Sequence, residues 1–294
     1  MHLTEQDILK RVRQIEIKTR GLSDDIFAGK YHSAFRGRGM SFAEVREYRI
    51  GDDVRDIDWN VTARSERTHV KVFEEERELT MMLIVDVSPS RMFGSKELTK
   101  KNVITEIAAT LAFSAAKNND KIGCILFSDR VEKFIPPKKG RAHVMMIIRE
   151  LVGFEPTGTS TNISEALRYL VGVNKKRATC FLLSDLINAE SDMTKLDDAL
   201  KIASSKHDIM AIKVYDERDG ELPNVGIVEV QDAETGRKEW LDTSSRSVRR
   251  FWKENFEERN AVMKSLMQQN RIDVAEVATG EDYVVELIKM FKQR

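Results

Sequence analysis

The chain has 294 residues, and its 48 Lys plus Arg are balanced by 48 Asp plus Glu, so its formal net charge is zero. That balance supplies no global field toward nucleic acid or an anionic membrane, and a charged fraction of 33% fits a solvated surface. A chain of this length buries roughly 75% of its extended surface on folding and needs no staple.

At the N-terminus Met1–Asp7 has neither the basic start nor the apolar run of a secretory signal. No apolar stretch approaches the roughly 18 residues that suggest a membrane span. The expected location is the cytoplasm, without a membrane span. Residues 3–19 place Ile8, Leu9, Val12 and Ile15 on one side of an amphipathic helix. Residues 29–67 are Gly- and charge-rich without core periodicity, and Val70-Lys71-Val72-Phe73 is expected to lead into a sheet. Residues 1–75 are therefore expected to form an N-terminal helix and charge-rich extension, and 76–294 an α/β domain.

From about residue 76, strand and helix alternate. Strands are expected at 79–86, 121–128, 178–185, 208–215 and 273–277, most of them continuous apolar runs covered on both faces. Helical stripes run through Val103, Ile107, Leu111 and Ala115, through Val144, Ile147, Ile148 and Leu151, and through Ile163, Ala166, Leu167 and Leu170. A long helix is expected from about Ser245, and a last one carries Val284, Leu287, Ile288 and Phe291. Residues 131–135 read as an antiparallel edge, and 225–231 with 237–242 as a hairpin. The alternation predicts a doubly wound, mostly parallel α/β sheet flanked by helices. Cys124 and Cys180 fall in strands flanking a third, too far apart for a disulfide, which favours a reducing compartment.

The apolar run 81–85 stops at Asp86-Val87-Ser88-Pro89-Ser90. A carboxylate and two hydroxyls at a strand end offer only oxygen, the donor set of a hard divalent cation: Mg²⁺, with Mn²⁺ as the alternative. Thr161, in Gly158-Thr159-Ser160-Thr161-Asn162, and Asp185, at the end of the run 180–184, supply two more oxygen ligands. Ligands in open α/β sheets lie at the carboxyl ends of strands where the winding reverses, so Asp86, Ser88, Ser90, Thr161 and Asp185 are expected to converge there. Direct protein ligands fall short of six, leaving positions for water and for an incoming oxygen from a partner's Asp or Glu.

In this order the constellation resembles the metal-ion-dependent adhesion site of von Willebrand factor A domains. The resemblance implies ion binding through the Ser88, Ser90 and Thr161 hydroxyls, with Asp86 and Asp185 acting directly or through water. Leu186 stands where that family usually has glycine. Upstream, Gly37-Arg38-Gly39, Glu44-Val45-Arg46-Glu47-Tyr48, Gly51-Asp52-Asp53-Val54-Arg55-Asp56-Ile57-Asp58-Trp59, Ala63-Arg64 and Phe73-Glu74-Glu75-Glu76 resemble the signature of Domain of Unknown Function 58 proteins. That resemblance implies an adaptor or assembly factor working with a MoxR-type AAA+ ATPase. Arg46, Arg49, Arg55 and Arg64 alternate with acidic residues, an arrangement that serves either as a locking salt-bridge network or as a partner-docking surface.

No Gly-x-x-x-x-Gly-Lys-Ser/Thr motif, catalytic histidine spacing or zinc spacing is present. The basic patches lack interleaved aromatics, so nucleic acid is not an expected partner. The leading expectation is a non-enzymatic, Mg²⁺-dependent protein-interaction module whose partner offers an acidic side chain. The alternatives are a metal-dependent phosphoester hydrolase and a metal-free scaffold.

Overall fold

The computed structural model describes residues 10, 13–16, 41–65, 67–74, 79–94, 99–187, 193–231 and 237–292. Within the expected helix 3–19, residues 10 and 13–16 are helical; the rest of it, like Gly37-Arg38-Gly39 and Glu75-Glu76, lies outside the described residues. The chain divides into two compact units, Phe35–Leu79 and the remainder.

In the smaller unit, β1 (Ser41–Glu47) pairs antiparallel with β2 (His69–Glu74). The segment Val70–Phe73 therefore belongs to a two-stranded sheet of its own and does not continue into the large one. Its partner strand escapes period-2 reading because the register shifts between Phe42 and Glu44, which places the apolar residues Phe42 and Val45 three apart instead of two. Between the strands, Asp58 caps the single turn α1 (Trp59–Thr62) by accepting from the Asn60 and Val61 amides.

The larger unit carries β3 (Thr80–Asp86), α2 (Lys100–Lys117), β4 (Lys121–Phe127), β5 (Val131–Lys138), α3 (Arg141–Gly153), α4 (Ile163–Val173), β6 (Thr179–Ser184), α5 (Met193–Lys206), β7 (Asp208–Tyr215), α6 (Glu217–Gly220), β8 (Ile227–Gln231), β9 (Lys238–Asp242), α7 (Arg246–Gln269), β10 (Asp273–Ala278) and α8 (Tyr283–Lys292). Six strands form one sheet in the order β10-β7-β6-β3-β4-β5. All neighbours are parallel except β5, which returns antiparallel along β4 as a hairpin partner. The fold is thus a doubly wound, mostly parallel α/β sheet flanked by helices, as the alternation of the sequence implies. The hairpin β8–β9 stands as a separate two-stranded sheet.

Burial explains why the strands read as continuous apolar runs. Met81, Met82, Leu83, Ile84 and Val85 of β3 are all fully buried, each such side chain contributing about 1.5–3 kcal/mol. Met82 and Ile84 pack with Ile163, Leu167 and Leu170 of α4, Leu196 and Leu200 of α5, and Met263 and Met267 of α7. Phe181 of β6 meets Phe291 of α8 edge-on, with ring centroids 6.1 Å apart. The α2 stripe of Val103, Ile107, Leu111 and Ala115 is buried, and Thr110 of α2 bonds the Tyr283 hydroxyl of α8 at 3.1 Å. Cys124 and Cys180 are buried free thiols on β4 and β6, with β3 between them. No described helix is long and apolar enough to cross a membrane.

The winding reverses beside β3. The chain moves outward through β4 and β5, then resumes on the other side of β3 with β6. The crevice between the ends of β3 and β6 is the position where such sheets place ligands.

Candidate metal centre

Asp86 is the last residue of β3, and Asp185 follows the last residue of β6. Both are buried, at 2% and 4% exposure. The Asp86 carboxylate accepts from the Ser88 amide at 2.9 Å and from the Ser184 hydroxyl at 2.6 Å. The Ser88 and Ser90 hydroxyls lie 3.0 Å apart on the turn that follows. Three of the predicted ligands are thereby joined to the end of β6.

Burial, reinforced by the neighbouring Asp185 charge, pushes the Asp86 carboxyl up to about 6. The Ser88 amide and Ser184 hydroxyl that bond it are neutral donors. Arg91, itself buried, lies within Coulombic reach of Asp86. Its guanidinium donates to the Phe154 carbonyl at 2.7 Å, and burial lowers it to about 10.

Thr161 reaches the same end of the sheet by a different route. Its loop is tied to the end of β4 by the Asn162 amide, which donates to the Ser128 carbonyl at 2.8 Å. Val87, next to Asp86, donates to Phe127 of β4 at 2.7 Å. The loop is held by Glu132, whose carboxylate accepts from the Thr157 amide and hydroxyl, the Gly158 amide and the Ser128 hydroxyl. Burial raises the Glu132 carboxyl, but those four donors outweigh it and the net direction is down. At Gly158 an added methyl group would overlap the Ser128 hydroxyl and the Asp129 carboxylate, so only glycine lets the loop approach this closely. The Thr161 hydroxyl is buried and has no hydrogen-bond partner among the described residues.

At Leu186 the backbone adopts φ 57°, the left-handed region that glycine takes without penalty. A leucine thus occupies a backbone conformation that favours glycine. Leu186 is 6% exposed and packs into the core beneath α4 and α5, and that burial offsets the backbone cost. In this turn the Leu186 amide donates to Ser184 at 3.0 Å and the Ile187 amide to Asp185 at 3.1 Å.

Several residues of the centre carry no recognisable motif. Lys100, at 2% exposure, puts its ammonium 3.2 Å from Asp185 Oδ2 and 2.9 Å from Asp219 Oδ2. Burial pulls that ammonium down, but Asp185 and Asp219 outweigh it and the net direction is up. Lys213, next along the sheet, bonds Asn260 at 2.7 Å and lies over the Tyr215 and Phe256 rings. One sequence signal for Lys100 exists: a lysine pair, Lys100-Lys101, opens a helix whose N-terminus disfavours cations, so a compensating anion is required. Glu132 and Ser184 gave no such signal.

The donor set fits a hard divalent cation. Its groups are carboxylates and hydroxyls, one buried hydroxyl lacks a partner, and a desolvated carboxylate stands beside a second one. Among the described residues no set of three or more His, Cys, Asp or Glu is placed to hold a metal. A cation here would draw most of its shell from hydroxyls and water.

The four arginines lie in the smaller unit. Arg46 is engaged with Asp52 through two bonds of 2.7 Å, which with the Arg49 amide hold the Asp52 carboxyl down at about 2. Arg49, Arg55 and Arg64 are exposed. Tyr48, Ile50, Val54 and Trp59 of the same segment are also exposed.

A family model described as "Protein of unknown function DUF58" matches residues 44–262. The chain belongs to the DUF58 family. All five candidate ligands and the four arginines fall inside the DUF58 match. An uncharacterized protein of Mycobacterium tuberculosis is 30% identical over 227 residues, which cover 76% of this chain and 70% of that protein. Among solved structures, the conserved hypothetical protein BatB of Bacteroides thetaiotaomicron covers 73% of this DUF58 chain and 99% of its own at 14% identity and a TM-score of 0.44. A von Willebrand factor type A protein of Catenulispora acidiphila covers 77% and 43% at 11% identity and a TM-score of 0.41.

Proposed function

We propose that this DUF58 chain is a non-enzymatic protein-interaction module whose binding depends on Mg²⁺ or Mn²⁺. The observation that carries the reading is the meeting of separated segments at the winding reversal, with a desolvated carboxylate and an unpartnered buried hydroxyl among them. In this reading the Ser88, Ser90 and Thr161 hydroxyls hold the ion, and Asp86 and Asp185 act on it directly or through water. A bound ion supplies a concentrated positive charge in a low-dielectric crevice, which strengthens attraction to an anionic oxygen.

The chain's own groups do the rest. The Ser88 amide and Ser184 hydroxyl fix the Asp86 carboxylate, and Glu132 fixes the Thr161 loop. The partner offers an Asp or Glu side chain to the open position. The family resemblance suggests a MoxR-type AAA+ ATPase or its complex as that partner, with Arg49, Arg55 and Arg64 adding contacts from the smaller unit.

Affinity capture from cytosol tests this, with wild type and Asp86→Ala each run in Mg²⁺ and in chelator. An AAA+ ATPase retained by wild type in Mg²⁺, and lost in the other three arms, is the expected result. Equal capture in all four arms would favour the metal-free scaffold and move attention to the arginines.

A further inference from the structure

Two carboxylates flank the crevice, and they are treated differently. Asp86 is bonded by an amide and a hydroxyl. Asp185 is bonded by the Ile187 amide and by the buried ammonium of Lys100. That ammonium is shared with Asp219, whose carboxylate also accepts from the Asp216 amide at 2.9 Å and so closes the capping box of α6. The Asp219 carbonyl in turn accepts from the Trp252 indole of α7 at 2.9 Å. Lys100 starts α2, so one side chain connects the end of β6 to the start of α6.

We propose that Lys100 is a built-in counter-cation that competes with the divalent ion for Asp185 and thereby sets how tightly the ion binds. The inference rests on the metal-centre reading above. Its physical basis is that one carboxylate oxygen cannot serve two cations at full strength. An ammonium at hydrogen-bond distance also repels a dication arriving on the same carboxylate. Asp219 moderates the competition by drawing the ammonium toward α6. Lys100 thus weakens the ion's hold, and Asp219 restores part of it.

This predicts opposite effects from the two residues. In Asp219→Asn the amide oxygen can still accept from Asp216 and from the ammonium, but its charge is gone, and Asp185 becomes the sole carboxylate that this ammonium contacts among the described residues. Mg²⁺ affinity is expected to fall at least threefold. Lys100→Met alone would leave the buried Asp185 and the partly buried Asp219 without their cation and so endangers the fold. The double variant Lys100→Met/Asp219→Asn removes cation and anion together, and its Mg²⁺ affinity is expected to rise at least tenfold above wild type.

Calorimetric titration of the chelator-treated full chain with MgCl₂, at fixed pH and ionic strength, reads both directions. Thermal unfolding in chelator reports separately on the fold. Changed stability with unchanged Mg²⁺ affinity would make Lys100 purely structural and overturn the proposal, as would shifts of the same sign in both variants. Failure of the metal-centre reading looks different, because then neither wild type nor the double variant binds Mg²⁺ and Asp86→Ala changes nothing. Binding by the double variant where wild type has none would support the role of Lys100 and overturn ion dependence in the wild type.

Discussion

The two ends of the central sheet bury polar groups in opposite ways. At the carboxyl end Asp86, Ser88, Ser184, Asp185, Asp216 and Lys100 are all buried, and hydrogen bonds and ion pairs link most of them to one another. At the amino end His207, 1% exposed where the chain enters β7, has no hydrogen-bond partner on either ring nitrogen among the described residues. Parallel topology accounts for the contrast. Helix N-termini, with free amides and a positive dipole end, gather at the carboxyl ends of the strands, so carboxylates are tolerated there. At the amino end the desolvated His207 imidazole has no such partner among the described residues, and burial lowers its affinity for a proton. Charge is organised where the chain can answer it, and this is the end where the proposed ion would bind.

The largest expected effect concerns the backbone beneath Asp185. Leu186→Ala should destabilise by about 2–5 kcal/mol through the cavity it leaves. Glycine is ordinarily worse than alanine by about 0.5–1 kcal/mol. At φ 57° the order should reverse, with Leu186→Gly at least as stable as Leu186→Ala in urea unfolding. A glycine variant clearly below the alanine one would mean the left-handed turn carries no cost.

Ion binding at the carboxyl end should appear as added stability. At a free Mg²⁺ concentration of about 100 times the dissociation constant, the gain is about 2.7 kcal/mol, or roughly 5–10 °C for a unit of this size. Asp86→Ala should unfold at the same temperature in Mg²⁺ and in chelator. A smaller effect is expected at the Thr161 loop. Gly158→Ala forces a methyl against Ser128 and Asp129 and should cost about 1–3 kcal/mol, while reducing the Mg²⁺ response in the same melts. An unchanged response would separate Thr161 from the centre.

The sequence showed the sheet well because β3, β4, β6 and β7 are buried on both faces and so read as unbroken apolar runs. Asp86, Ser88, Ser90 and Asp185 were legible for the same reason, since each sits where such a run stops. Residues whose roles depend on distant partners were not legible. Glu132 gains meaning only when residues 157 and 158 fold back onto it, and Lys100 meets Asp185 across 85 positions of sequence. β1 was hidden by a bulge that breaks its alternation. Helix α5, between β6 and β7, buries Leu196, Ala199, Leu200 and Ala203 as a stripe that its sequence spacing also displays.

The smallest expected effect tests the amino end. Burial first, then the nearby charges of Lys206 and Arg177, lowers the His207 imidazole below its usual 6.5. The unfolded chain takes up a proton near that ordinary value, and the folded chain does so only at lower pH. Between the two values the unfolded state binds more protons, so stability rises with pH. The contribution of His207 to stability should therefore fall as pH drops through about 6.5 and continue to fall until the folded imidazole also protonates, while Asp86, raised to about 6, acts in the opposite sense in wild type and variant alike. His207→Gln keeps a polar side chain of similar size but cannot titrate. Its urea midpoint should rise less with pH than that of wild type between about pH 5.5 and 7.5. Coincident slopes would mean that His207 gains a proton as easily when folded as when unfolded. The amino end would then be open to water, and the contrast with the carboxyl end would reduce to Asp86, Asp185 and Lys100 alone.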